Sequence, residues 1–452
     1  MKSSTSLMTE GCIWRKIVKF ALPICWGNLF QQLYNIVDSI VVGNFVGRDA
    51  LAAISSIGSL IFLLVGFFGG IFMGAGVVIA KYFGAQKKEA LNKAIHTAIA
   101  FAVVAGLVLT AIGTIFTPFI LRLMGTPEAV FAKASLYLKI YFSGILSVVL
   151  YNTSSGIFQA VGDSKHPLYY LIISSITNVV LDLTFVLVFK WGIGGAAFAT
   201  IISQSLSVVL AFRRLCTTKD VYRVNLKKIS FDFNLLREII YLGLPAGIQN
   251  SVIALANLVV QTNINSFGPV AMAGCGSYAK IEGFVFIPIT SFAMSMTTFM
   301  GQNLGAKEYK RAKKGAKFGI ITSIIVAEVI GFGFFILCPI LVSLFNKEPS
   351  VIKFGITQAR TISLFYFLLA FSHSIAGILR GAGKSIIPMF VMLLCWCIIR
   401  VTYITVTTHF IHKIQVVFWA YPLTWCLSSI IFLIYFLKSD WIHGFEKNVL
   451  KS

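Results

Sequence analysis

Acidic residues are scarce in this chain: 16 Asp and Glu stand among 452 residues, against 38 Lys and Arg, and charged residues of all kinds make up 12%. A soluble domain carries about 25% charged residues, so that class is excluded. The net charge of +22 does not point to nucleic acid either, because the bases are spread over short loops rather than gathered on one soluble domain with stacking aromatics. Chemically useful cysteine spacing is missing. The eight cysteines (Cys12, Cys25, Cys216, Cys275, Cys338, Cys395, Cys397 and Cys426) form no CxxC, which leaves packing as their role. No nucleophile–base pair or metal cluster has recognisable spacing, so an enzyme is not expected. No segment repeats as a selectivity filter would, which disfavours a channel. A cleaved leader is not expected, because the first apolar stretch is too long and no small-residue cleavage site comes after it.

What is present is apolar length. Hydrophobic residues make up 57% of the chain, and long runs alternate with short basic loops. That pattern predicts an all-α polytopic membrane protein with twelve transmembrane helices, near 17–45, 52–80, 94–121, 131–157, 167–189, 194–212, 238–266, 273–300, 318–344, 352–378, 386–408 and 414–437. With the N-terminus inside, most Lys and Arg fall on the cytoplasmic side, and both termini are expected there.

The chain repeats itself. Gly84-Ala85 in a basic loop is echoed by Gly305-Ala306, an offset of 221 residues. The same offset relates Gly156, Gly162, Ser164 and Pro167 to Gly377, Gly383, Ser385 and Pro388. Leu22-Pro23 and Asn28 match Leu244-Pro245 and Asn250 one residue further along. Three matches within one residue of a common register predict two six-helix lobes, 1–212 and 238–452, joined by a cytoplasmic linker at 213–237. Because six is even, the lobes run in the same direction, with a pseudo-two-fold axis along the membrane normal and a cleft expected between them.

Four acids fall well inside spans: Asp38, Asp182, Glu282 and Glu328. An ionisable residue there is expensive and marks a functional site by default. On the first span Gln31, Tyr34, Asn35 and Asp38 share a face, and on the fifth Ser174, Asn178 and Asp182 do so. Thr200 and Gln204 on the sixth span and Asn152 on the fourth complete the polar set. If these faces converge, an oxygen-rich cage results that suits Na⁺ as well as a shared proton. A proton, Na⁺ and a cationic substrate compete to neutralise two carboxyl groups in one apolar volume, which is the physical basis of an antiporter. Asp38 and Asp182 do not recur in the second half, where Val260 and about Tyr403 stand, so scaffold building does not account for them. Pro23 does recur; it favours a kink in the first helix. The second span carries Gly66, Gly70 and Gly74 four apart, a face for close packing. Arg400 is a candidate ion-pair partner for Glu282, whose other use is a direct substrate contact. His373 reads as a hydrogen-bonded core residue.

These features resemble the multidrug and toxin extrusion (MATE) family over essentially the whole chain. The resemblance rests on the twelve spans, the Gly-Ala basic loops and the Gly-Ser…Pro turns. It implies a V-shaped, two-lobed efflux transporter driven by inward H⁺ or Na⁺. Pro23, Gln31, Tyr34, Asp38, Asn152, Asn178, Asp182 and Thr200 are similar to the first-lobe set of the DNA-damage-inducible-F-type branch. In that branch the two aspartates, the asparagine and the threonine are implicated in cation binding, and the proline marks a bend.

The expectation is therefore a secondary active antiporter of the bacterial inner membrane, working as a monomer. It would export drugs or other toxic compounds, amphipathic and cationic, in exchange for H⁺ or Na⁺ and without a cofactor. Asp38, Asp182, Asn178 and Thr200 would couple the ion, and would ligate it if it is Na⁺. Gln31, Tyr34, Asn35, Asn152 and Glu282 would line the cavity, and Pro23 would act as hinge. A flippase for a lipid-linked precursor is the alternative.

Overall fold

The apolar runs fold as helices, which satisfy their own backbone N–H and C=O groups where lipid offers no partner. The computed structural model describes residues 7–449, apart from the side chains of residues 48, 49, 51, 52, 55, 56, 59 and 447–449. In chain order the helices are α1 (Ile13–Val41), α2 (Arg48–Gly84), α3 (Lys88–Leu123), α4 (Glu128–Ser143), α5 (Ile145–Ala160), α6 (Lys165–Leu183), α7 (Gly192–Thr217) and α8 (Phe233–Asn265). They continue as α9 (Pro269–Gly305), α10 (Tyr309–Ser343), α11 (Pro349–Ile362), α12 (Tyr366–Gly381), α13 (Ile386–Met392), α14 (Arg400–Phe410), α15 (Ile414–Lys438) and α16 (Gly444–Val449). No strand occurs among the described residues.

Each of the twelve predicted spans falls on helix, but two are broken. The fourth is α4 and α5, bent by 49° at Gly144. The tenth is α11 and α12, separated by a 3₁₀ turn at Ser363–Phe365. Among the described residues ten helical segments are long and apolar enough to cross a membrane, or eleven with the bent α4–α5 pair. The 29-residue α1 is long enough but not apolar enough, because Gln31, Gln32, Asn35 and Asp38 interrupt it.

Contacts divide the chain into two compact units. One gathers Trp26–Leu244 with Leu7, the other Met8–Cys25 with everything from Pro245 onward. The boundaries therefore fall inside α1 and α8, beside the repeated prolines Pro23 and Pro245, rather than in the loop before α8.

The repeat governs the backbone as well as the motifs. Gly47 (φ 110°) pairs with Gly268 (φ 92°), Gly162 (φ 82°) with Gly383 (φ 78°), and Gln86 (φ 53°) with Lys307 (φ 61°), each 221 residues apart. At the last pair a left-handed residue closes the helix. The Lys87 and Glu308 N–H groups reach back to the Tyr82 and Asn303 carbonyls at 3.1 and 2.8 Å. Such an ending favours glycine, because a side chain in this conformation costs about 1 kcal/mol.

Equivalent positions also hold the incoming helix in each unit, with different chemistry. In the first, Lys81 Nζ donates to Glu238 Oε1 at 2.7 Å and the Tyr82 hydroxyl donates to the same carboxylate at 3.2 Å, fixing the start of α8 against α2. In the second, Gln302 accepts from the Met8 N–H at 2.9 Å and Asn303 donates to the Met8 carbonyl at 3.3 Å, fixing the chain before α1 against α9. One helical stretch further in, Gly74 of α2 abuts Gly243 of α8, where an added Cβ would overlap backbone. At the position equivalent to Gly74, the Ser295 hydroxyl donates to the Ile17 carbonyl at 3.1 Å. Of the predicted glycine face, Gly74 is the member with this demonstrated backbone approach.

Candidate functional site

Asp38 of α1 meets Asp182 of α6 inside the first unit. Asp182 is wholly buried and Asp38 is half-buried. Their carboxyl groups lie close enough to act on each other, and among the described residues no Lys or Arg acts on either. No described hydroxyl or amide donates to the Asp182 oxygens or to Asp38 Oδ1. Two neighbouring carboxyl groups in an apolar setting do not both ionise cheaply without a counter-charge.

Two tyrosines lie beside the pair, and a third stacks behind them. Tyr34, one turn before Asp38 on α1, lies near both carboxyl groups and near Gln204 of α7. Tyr137 of α4, fully packed, faces the same two acids. Tyr141 lies one turn on, its ring 6.5 Å from that of Tyr137 and nearly parallel to it. Sequence reasoning did not find Tyr137 or Tyr141. Their only sequence signal is their four-residue spacing, which core aromatics share.

The other expected residues are distributed unevenly. Asn178 is buried one turn before Asp182, with both side-chain polar atoms unpartnered, so an oxygen acceptor stands free beside the acids. Thr200 turns its hydroxyl to its own helix, donating to the Ala196 carbonyl at 3.1 Å. Gln31 and Asn35 are exposed. Asn152 lines a small apolar cavity with Leu64, Phe68, Phe72 and Leu109. Pro23 lies in the stretch of α1 that belongs to the second unit.

The helix geometry changes beside each acid. A π turn, Val42–Val46, begins one turn after Asp38, and another, Thr184–Val188, begins two residues after Asp182. The two π turns touch. Such bulges are rare in general and gather at functional sites. A third, Leu393–Ile399, directly precedes Arg400 in the second unit.

In the second unit the expected Glu282–Arg400 ion pair is not formed. Glu282 instead accepts from the Tyr278 hydroxyl at 2.6 Å, and Tyr278 bonds Tyr366 at 3.1 Å. Arg400 gives two N–H bonds to the Thr424 hydroxyl, at 3.1 and 2.9 Å, and stacks over Tyr421 at 4.5 Å. Glu282 acts on Arg400 only through space. His373 also departs from expectation. Its Nε2 has no partner, and its ring packs beside Trp396 at 5.4 Å and Phe286 at 6.3 Å. Among the described residues no group of three or more His, Cys, Asp or Glu gathers as a metal site.

Comparison with known proteins covers both halves. The family profile described as MatE matches residues 23–184 and again residues 245–405. Two Bacillus subtilis proteins are similar along most of their length. The probable multidrug resistance protein YoeA is 29% identical over 441 residues, covering 96% of this chain and 95% of the relative. The probable multidrug resistance protein YpnP is 26% identical over 398 residues, covering 87% and 88%. A crystal structure of a MATE protein in complex with MaL6 superposes with a TM-score of 0.91 at 21% identity, covering 99% of this chain and all of that one.

Proposed function

This chain belongs to the MatE family of membrane transporters, and we propose that it is a secondary active antiporter that exports amphipathic organic cations in exchange for H⁺ or Na⁺. The observation that carries the proposal is the Asp38–Asp182 pair, two carboxyl groups brought close together with no described basic residue acting on them and no described donor to the Asp182 oxygens. A pair holding one proton retains one unit of negative charge. A second proton, Na⁺ or an organic cation each offsets that charge, and they exclude one another. A carrier that opens the pair to the two sides in turn converts this competition into exchange.

The residues divide the work. Asp38 and Asp182 hold the coupling ion. Asn178, buried and unpartnered, supplies a neutral oxygen beside them, which suits a hard cation. Tyr34 and Tyr137 exclude water from the pair. Pro23 removes one backbone bond shortly before α1 passes from one unit to the other, and so gives the helix a place to bend. The relatives' drug-resistance names support efflux, and the basic loops support a bacterial inner-membrane setting with both termini cytoplasmic.

The test uses purified protein in liposomes, with ethidium as cargo and a pH or a Na⁺ gradient applied separately. One gradient should drive ethidium movement, and Asp38→Asn should abolish it. The Asn variant keeps a hydrogen-bonding group at the contact, so a purely structural link survives it while ion coupling does not. Undiminished gradient-driven movement by folded Asp38→Asn protein overturns the proposal.

A further inference from the structure

The first unit buries acid, and the second buries base. Arg380, at the end of α12, is 8% exposed, and its Nε has no hydrogen-bond partner. Among the described residues no carboxylate or other acceptor is paired with its guanidinium. The acids of this half are committed elsewhere: Glu282 to Tyr278, Glu446 to Tyr309 and Asp440 to His443. Glu328 lies against the backbone of Phe367, while Glu308 and Glu348 sit in the loops before α10 and α11. Arg380 is thus an enclosed cation with no counter-charge, which is expensive to maintain. Its repeat equivalent in the first half is the neutral Gln159, so the scaffold does not require a base here.

Arg380 does not stand alone. His373, seven residues earlier, lies on the same face of α12 and feels its charge. The His373 ring packs against Trp396, and the Arg400 guanidinium lies 5.6 Å from the same indole. Two guanidinium groups and an intervening pair of rings form one band within the second unit. Glu282, the acid whose charge reaches Arg400, makes no ion pair with either arginine. Guanidinium is the side chain best shaped for a carboxylate or phosphate, and indole and imidazole faces suit an aromatic body.

We propose that this band binds an amphipathic anion, with its carboxylate or phosphate on Arg380 and its aromatic or apolar body along His373 and Trp396. The substrate class of the transporter is thereby widened to compounds carrying negative charge. Transport of such compounds rests on the efflux reading above, but their binding does not.

The test is thermal unfolding of the full chain in detergent, wild type against Arg380→Gln and Arg380→Lys, with 5-carboxyfluorescein or phosphatidylglycerol added separately. Carboxyfluorescein should raise the wild-type Tm and leave that of Arg380→Gln unmoved, with Arg380→Lys between them. Its affinity, read by fluorescence anisotropy, should fall at least tenfold in Arg380→Gln. A shift given only by phosphatidylglycerol, and lost in Arg380→Gln, identifies a lipid headgroup as the source of the same anion. Equal shifts in wild type and Arg380→Gln with both probes, or no shift with either, overturn the proposal. Wild-type protein that binds carboxyfluorescein but fails to move ethidium in liposomes sinks the efflux reading and leaves the anion site standing.

Discussion

Asp38 on α1 faces Asp182 on α6 closely enough for each carboxyl group to act on the other, and no described basic residue acts on either. A site of this kind is one device with two halves. In the proposed coupling site, removing either carboxyl removes the shared proton, so the two single changes and the double change should be equivalent. In liposomes Asp38→Asn, Asp182→Asn and the double variant should each lower gradient-driven ethidium movement at least tenfold, with the double no worse than the singles. Multiplicative losses would show two independent sites rather than one pair.

Close approach of α2 and α8 rests on Gly74 facing Gly243. An added methyl at Gly74 meets backbone, which cannot swing aside as a side chain does. Gly74→Ala should therefore destabilise the chain by about 1–3 kcal/mol. Gly69→Ala, where an added Cβ has nothing within 4 Å, is the control and should be near neutral. Melting curves followed by intrinsic fluorescence would compare the two.

The left-handed residues that end α2 and α9 offer an opposite experiment. Gln86 and Lys307 adopt a conformation glycine takes without strain. Gln86→Gly and Lys307→Gly should each stabilise by roughly 0.5–1 kcal/mol, net of the glycine's added freedom when unfolded. A loss of stability in both would show that their side chains make compensating contacts.

Arg400 has the Thr424 hydroxyl as its hydrogen-bond acceptor. Thr424→Val keeps the shape and deletes the acceptor, leaving a buried guanidinium short of partners. The expected loss is about 1–3 kcal/mol, and Thr424→Ser should recover most of it. The matching change at the other end, Tyr278→Phe, takes the donor from Glu282 and should act in the same direction. Unfolding midpoints of the three variants check both.

Much of the fold was legible because it is written in hydrophobic length and in a repeat. The twelve apolar runs, the 221-residue offset and the two acids stand out in sequence, and the runs do fold as helices. The breaks at Gly144 and at Ser363–Phe365 were not legible, since the apolar pattern runs through both without interruption. Tyr137, beside the acids, and Tyr141, stacked on it, look in sequence like any core aromatics. Charge alone suggests Glu282 and Arg400 as a pair, while Tyr278 and Thr424 are the partners that only the packing reveals. Arg380 escaped notice as one more base beside a basic loop.

The π turns at Val42–Val46 and Thr184–Val188 bear on how this chain tolerates changes of length. A π turn holds one residue more than an α-helix needs over the same span. That residue is slack. Deleting one residue from Gly43–Phe45 would draw the turn into regular α-helix and leave the segments on either side facing as they did. The same deletion a turn earlier, between Tyr34 and Asp38, has no slack to draw on and would rotate everything beyond it by about 100° around the axis. Each acid therefore sits beside a stretch where the chain forgives a missing letter, while the acid's own turn does not.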